Sequence, residues 1–282
     1  MIPPVVDAAW LVEHPDAVVA DVRHYLDGRD ARADYLTGHL PGAVFVEMDR
    51  WLAAPATPEF GRHPLPTPEV FAEGMRACGI ADDSVVVAYD DAGGAFAGRL
   101  VWMLRMLGQD AALLDGGLTS WAGPLDEGNL QPTPGDFTPR PWPPTDLATI
   151  EDACTAELVL DARAPARYRG ESEPLDPRAG HIPGALNAFF GQNLTPEQAF
   201  RSPDELRERF AELGVTDASQ VVAYCGSGVT ACHNLIAMEH AGLGRGRLYV
   251  GSWSQYAATE RPAATGPEPG SRPVIDPHGV AH

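Results

Sequence analysis

The chain has 282 residues, 44% apolar and 21% charged, a balance that fits one large or two ordinary globular domains and excludes a disordered, collagen-like or coiled-coil protein. Acidic residues outnumber basic ones 39 to 20, a formal net charge of −19, so nucleic-acid backbones and anionic membrane surfaces are disfavoured, and an anionic substrate needs a local group of arginines that defies the average. Four cysteines at positions 78, 154, 225 and 232 are too few and too scattered for a disulfide framework or a zinc site.

In chain order, no basic and apolar leader opens the sequence, and no apolar run approaches the roughly 18 residues of a membrane span. Reduced thiols and a cytoplasmic setting are therefore expected. Val18 to Asp21 reads as a buried strand, and Gly38-His39-Leu40-Pro41-Gly42 as a turn. Thr67 followed by Pro68 and Glu69 signals a helix start, and Val85 to Tyr89 is a second buried strand that runs into Asp90-Asp91-Ala92-Gly93-Gly94. Residues 124–144 contain seven prolines, which forbid helix and ladder pairing and predict a semi-rigid linker. Leu158 to Asp161 is a third strand, followed by Arg163, Arg167 and Arg169 and by Gly180-His181-Ile182-Pro183-Gly184. Ser202 and Pro203 open an amphipathic helix to about Leu213, closed by Gly214. Val221 to Tyr224 is the fourth strand, then comes Cys225, and a helix spans about Ala231 to His240. The sequence from Arg261 onward is rich in Pro and Gly and reads as a tail.

This order occurs twice. Asp21 corresponds to Asp161, His39 to His181, Tyr89 to Tyr224 and Trp121 to Trp253, at offsets of 140, 142, 135 and 132. A period near half the chain means two related domains rather than a solenoid. The predicted boundaries are a first domain over 1–123, a linker over 124–147, a second domain over 148–262 and a tail over 263–282. Strands that are apolar throughout, alternating with helices, predict an α/β fold in which each domain is a parallel sheet flanked by helices.

In such sheets ligands collect beyond the carboxyl ends of strands. Cys225 stands there, followed by Gly226-Ser227-Gly228-Val229-Thr230 and a helix N-terminus. Two glycines let the backbone turn its N–H groups inward, and the helix dipole adds positive potential, so a thiol here is expected as thiolate, in the roughly 3.5–7.5 pKa range of activated cysteines. The repeat supplies a control: Asp90 occupies the corresponding place, and a carboxylate cannot act as a sulfur nucleophile. The second domain is expected to be active and the first silent.

The motifs DAR with RY, GHIPGA, the strand-end CGSGVTA and GSW together resemble the tandem rhodanese-domain sulfurtransferases over nearly the whole chain. The CGSGVT loop is most similar to that of the 3-mercaptopyruvate sulfurtransferases, whereas thiosulfate-using members carry basic loops such as CRKGVT. The resemblance implies two rhodanese-like domains and a Cys225 persulfide cradled by Gly226, Gly228, Val229 and Thr230. It also implies Arg167 on the substrate carboxylate, Arg178 as a second arginine, and a relay of Ser227, His39 and Asp30. His181, the Asp161–Arg163 pair and Trp253 are expected as structural parts. No metal or organic cofactor is implied. The donor is 3-mercaptopyruvate or thiosulfate, and the acceptor is a small thiol, a thioredoxin-like protein or cyanide.

Charge favours the first donor. Thiosulfate is a dianion suited to basic loop residues, whereas Gly226 and Ser227 are neutral; a monoanionic donor wants a bidentate arginine away from the thiol. The competing readings are a thiosulfate:cyanide sulfurtransferase and a non-catalytic persulfide carrier. A cysteine phosphatase is excluded because Ala231 stands where such an enzyme needs arginine.

Overall fold

In the computed structural model, which describes residues 1–272, two strands carry the identical sequence VVAY, Val86–Tyr89 and Val221–Tyr224, with all four residues buried in each. A strand with no polar face to offer water belongs inside a parallel sheet covered on both sides. Each is the middle strand of its own five-stranded sheet.

The chain divides into two units. The first comprises Met1–Ala54, Leu65–Pro143 and Leu194–Phe200; the second comprises Pro55–Pro64, Pro144–Asn193 and Arg201–His282. Each unit therefore includes a short segment from the other half of the sequence. In unit 1 the elements are β1 (Val5–Val6), α1 (Ala8–Glu13), β2 (Val18–Asp21), α2 (Ala31–Thr37), β3 (Val44–Phe45), α3 (Pro68–Ala77), β4 (Val86–Tyr89), α4 (Ala97–Met106) and β5 (Ala111–Leu114). Unit 2 has β6 (Leu147–Ala148), α5 (Ile150–Thr155), β7 (Leu158–Asp161), α6 (Pro165–Tyr168), β8 (Leu186–Asn187), α7 (Pro203–Glu212), β9 (Val221–Tyr224), α8 (Thr230–His240), β10 (Arg247–Tyr249) and α9 (Ser252–Tyr256). The sheet orders are β1-β5-β4-β2-β3 and β6-β10-β9-β7-β8, the same topology twice, and every strand pair is parallel.

Local chemistry explains where the helices begin. The Ser202 hydroxyl accepts from the Glu205 amide, and the Glu205 carboxylate accepts from the Ser202 amide. With Pro203 in the first turn this closes a capping box on α7, which buries Leu206 and Phe210. Thr67 caps α3 with its hydroxyl, which accepts from the Val70 amide, with Pro68 next.

Residues 122–143 form no helix or strand, and β6 begins at Leu147, inside the stretch read as linker. The proline-rich segment is pinned at Phe137, which is fully buried and packs edge-on against Phe71. The tail is partly anchored too: Ala264 pairs with His181, and the Gly184 amide donates to the Pro269 carbonyl. The remainder of the expected tail, 273–282, lies outside the described residues. No described helix is long and apolar enough to cross a membrane.

Candidate active site

The floor of the site is a buried ion pair. The Arg163 guanidinium holds Asp161 along two edges, with Nη2 at 2.6 Å from Oδ2, and donates to the Gly180 carbonyl at 2.7 Å. Desolvation acts to lower the Arg163 pKa, but the Asp161 carboxylate outweighs it and the guanidinium is pushed up. Trp253 lies under Arg163 with its ring centroid 4.7 Å from the guanidinium carbon. Unit 1 repeats the arrangement: Arg23 Nη2 is 2.6 Å from Asp21 Oδ2 and 2.8 Å from the Gly38 carbonyl. A pair present in both units, one of which carries Asp90 in place of a strand-end cysteine, is architecture rather than chemistry.

Cys225 follows β9. Its amide donates to Ser252 Oγ, and its carbonyl and that of Gly226 accept from the Trp253 and Ser254 amides at the start of α9. These bonds fix the peptide planes of the loop. Sγ accepts the Gly228 amide at 3.1 Å. Gly228 has φ +76°, and a β-carbon there would lie 2.6 Å from the Val250 carbonyl oxygen, so only glycine permits the turn. Val229 and Thr230 then lead into α8. Cys225 is only 2% exposed, and beside it a β-carbon on Gly226 would meet Arg62 Nη2 at 2.9 Å, Arg167 Nη1 at 3.2 Å and Arg167 Nη2 at 3.4 Å. Two guanidiniums thus bear on the residue that follows the thiol.

Arg62 belongs to the Pro55–Pro64 segment of unit 2. This segment is seated where Gly61, at φ +86°, passes so close to Gly251 that a β-carbon would lie 2.6 Å from its carbonyl oxygen. The Arg62 amide donates to Ser254 Oγ at 3.0 Å. The neighbouring His63 shares a 2.7 Å hydrogen bond between Nδ1 and the Ser227 hydroxyl.

The expected positions distribute as follows. Arg167, expected on the substrate carboxylate, is brought to the loop at Gly226. The residues expected to form a relay do not come together. Ser227 bonds His63, whereas His39 donates Nδ1–H to the Tyr35 carbonyl at 2.8 Å and stacks on the Tyr35 ring. His181 makes the same pair of contacts with Tyr168, so the His39 arrangement is again a repeated structural device. Asp30 is the N-cap of α2, accepting from the Arg32 and Ala33 amides, the ordinary work of an aspartate before a helix. Arg178 is not a second arginine of the pocket: its donors go to the carbonyls of Tyr256, Ala257 and Arg261, around the C-terminal end of α9, where orphan carbonyls and the dipole favour a cation. Arg62 and His63 were the residues missed. A signal existed, because the repeat offset drops from 142 at His39 to 135 at Tyr89, so the first half carries extra residues with no counterpart in the second.

With this geometry established, comparison with known proteins is informative. The rhodanese-like domain model matches residues 7–124 and 144–259. A Pseudomonas aeruginosa protein named "Probable 3-mercaptopyruvate sulfurtransferase" is 45% identical over 276 residues, covering 92% of this chain and 95% of its own. Mycobacterium tuberculosis SseB, provisionally named a thiosulfate sulfurtransferase, is 36% identical over 271 residues, with 92% and 95% covered. Among solved structures, the 3-mercaptopyruvate sulfurtransferase from Leishmania major superposes with a TM-score of 0.83 at 31% identity, over 92% of this chain and 75% of that one.

Proposed function

Because the chain belongs to the tandem rhodanese-domain sulfurtransferases and is a sulfur-transferring enzyme, we propose that its donor is 3-mercaptopyruvate and that sulfur travels on Cys225 as a persulfide. The observation that carries this reading is the pair of guanidiniums, Arg62 and Arg167, converging on Gly226 in a loop whose own positions 226 and 227 are uncharged. A carboxylate held there by two arginines leaves the thiol end of the donor toward Cys225.

The Cys225 thiolate attacks the donor sulfur and a sulfur–sulfur bond forms. The carbon–sulfur bond breaks, and its electron pair passes to C3 as an enolate conjugated with the ketone. The proton from the donor thiol is carried through Ser227 and His63 to C3, so the products are the Cys225 persulfide anion and pyruvate. Loop amides facing the terminal sulfur stabilise its charge in the manner of an oxyanion hole. An acceptor thiolate then takes that sulfur and regenerates the Cys225 thiolate. Atoms, charge and electrons balance without metal or redox cofactor. The relay is therefore assigned to Ser227 and His63.

Incubation of the protein with 3-mercaptopyruvate should add one sulfur atom to the peptide carrying Cys225, and a small thiol should remove it. No mass gain overturns the persulfide. Thiosulfate as donor is the second reading, favoured by the name of the M. tuberculosis relative; a higher kcat/KM for thiosulfate than for 3-mercaptopyruvate would establish it instead.

A further inference from the structure

The two guanidiniums over the Cys225 loop are already partnered on one side. Asp176 bridges them: Oδ1 accepts from Arg62 Nη1, and Oδ2 from Arg167 Nη2 at 3.2 Å. Glu173 grips Arg167 with Oε1 on Nη2 at 2.7 Å and Oε2 on Nε at 3.2 Å, and its Oε2 also accepts from Arg163 Nη1 at 3.3 Å. The amides of Leu175 and Asp176 donate back to Glu173 Oε1, so the acidic turn is folded around its own carboxylate. Exposure divides the partners. The Glu173 and Asp176 side chains are each 3% exposed, while Arg62 and Arg167 keep 26% and 20%. The carboxylates are the buried backing, and the arginines are the accessible face. The terminal nitrogens left outside the clamp, Arg62 Nη2 and Arg167 Nη1, are the two nearest Gly226. Around the site, Arg62, Arg163 and Arg167 are matched by Asp161, Glu173 and Asp176, three positive charges by three negative.

We infer that Glu173 and Asp176 determine which donors the site admits: they aim one nitrogen of each arginine at a common point and cancel the pocket's positive charge, so a donor with a single carboxylate is held and a dianion is disfavoured. This rests on the proposed role of the arginine pair as the donor-anion site. The two carboxylates touch the arginines and not the reacting atoms, so they are positioning residues. With Cys225 ionised for attack, the arrangement carries a net negative charge that a dianion meets twice as strongly as a monoanion. Removing one carboxylate charge at roughly 6–8 Å, in an effective dielectric near 20, shifts the balance between the two kinds of donor by roughly ten- to a hundredfold.

The experiment uses the full chain carrying Asp176→Asn or Glu173→Gln, with kcat/KM for thiosulfate and 3-mercaptopyruvate measured at fixed ionic strength and a common acceptor. The thiosulfate-to-mercaptopyruvate ratio should rise at least about tenfold for Asp176→Asn, which contacts both arginines, and less for Glu173→Gln. If both donors fall together and the ratio stays put, the carboxylates are merely structural and the inference is overturned. The wild-type ratio in the same assay judges the donor reading separately, because the change on substitution is defined whichever donor the wild type prefers. Should neither variant fold, competitive inhibition of the wild type keeps the inference testable: pyruvate, a monoanion, should bind at least about tenfold more tightly than sulfate, a dianion. Equal inhibition constants overturn it.

Discussion

Residues 90–96 and 225–229 are corresponding loops, seven and five residues long, each set after a VVAY strand and before a helix. In unit 1 the fully buried Asp90 carboxylate accepts four amides: Ala92 and Gly94 on Oδ1, Phe96 and Ala97 on Oδ2, at 2.8–2.9 Å. Burial pushes the Asp90 carboxyl up, against those four amides, each of which lowers it. In unit 2 the Cys225 sulfur accepts one amide, from Gly228. The difference is one of reach. A carboxylate oxygen stands two bonds beyond Cβ and a thiol sulfur only one, so Asp90 itself fills a cradle that in unit 2 a second sulfur on Cys225 has the length to enter. Each copy of the loop turns amides toward an acceptor: in unit 1 the Asp90 carboxyl fills it, and in unit 2 the Cys225 sulfur takes the Gly228 amide.

The comparison breaks most sharply at its centre. Cys225→Ser should reduce sulfur uptake to background with either donor, and adding Asp90→Cys to that variant should not rescue it, since the two arginines bear on unit 2's own loop; recovery of a one-sulfur mass gain would show that the loops are interchangeable. Next come Ser227→Ala and His63→Ala, each expected to slow 3-mercaptopyruvate turnover by roughly 10²–10⁴-fold, the usual range for lost proton transfer. Thiosulfate should suffer less, because sulfite leaves without a proton to carbon. His39→Ala should lower stability while leaving the ratio of donor rates unchanged.

Stability should separate the loops in the opposite direction. Asp90→Ala strands four amides, two of them buried and two part-buried, and is expected to cost on the order of 3 kcal/mol by urea denaturation, whereas Cys225→Ala should cost no more than about 1 kcal/mol. The smallest effect concerns Cys78, the buried thiol at the end of α3. Burial pushes its pKa from 9.0 to about 11. A raised folded-state pKa means that stability is intact below pH 9 and declines as pH climbs from about 9 through about 11, because the unfolded chain releases its proton first. Cys78→Ala should flatten that alkaline decline by up to about 2 kcal/mol across the interval.

Much of the fold was legible because burial and backbone geometry write themselves locally. The four strands at Val18, Val85, Leu158 and Val221 announce themselves by short apolar runs, and Ser202-Pro203 with Glu205 states the start of α7 in its hydrogen-bonding groups. Cys225 was legible because strand end, paired glycines and helix start are adjacent in sequence. Two other residues brought to this loop were not. Arg62 and His63 lie more than 160 residues from Cys225, in a segment without helix or strand periodicity, and only their packing in unit 2 gives them meaning. Arg178 and His39 misled for the converse reason: both residue types suit chemistry, but their donors are bound to carbonyls that folding brings to them.

The Pro55–Pro64 segment alters what a domain boundary means for this protein. A fragment beginning at Pro144 would keep Cys225, its loop and Arg167, yet leave behind Arg62 and His63 on the polypeptide it was severed from. The two related halves are in this way entangled in sequence: the half whose loop carries Asp90 also encodes a strip of the other unit, and division at the proline-rich stretch would part the Cys225 loop from Arg62 and His63.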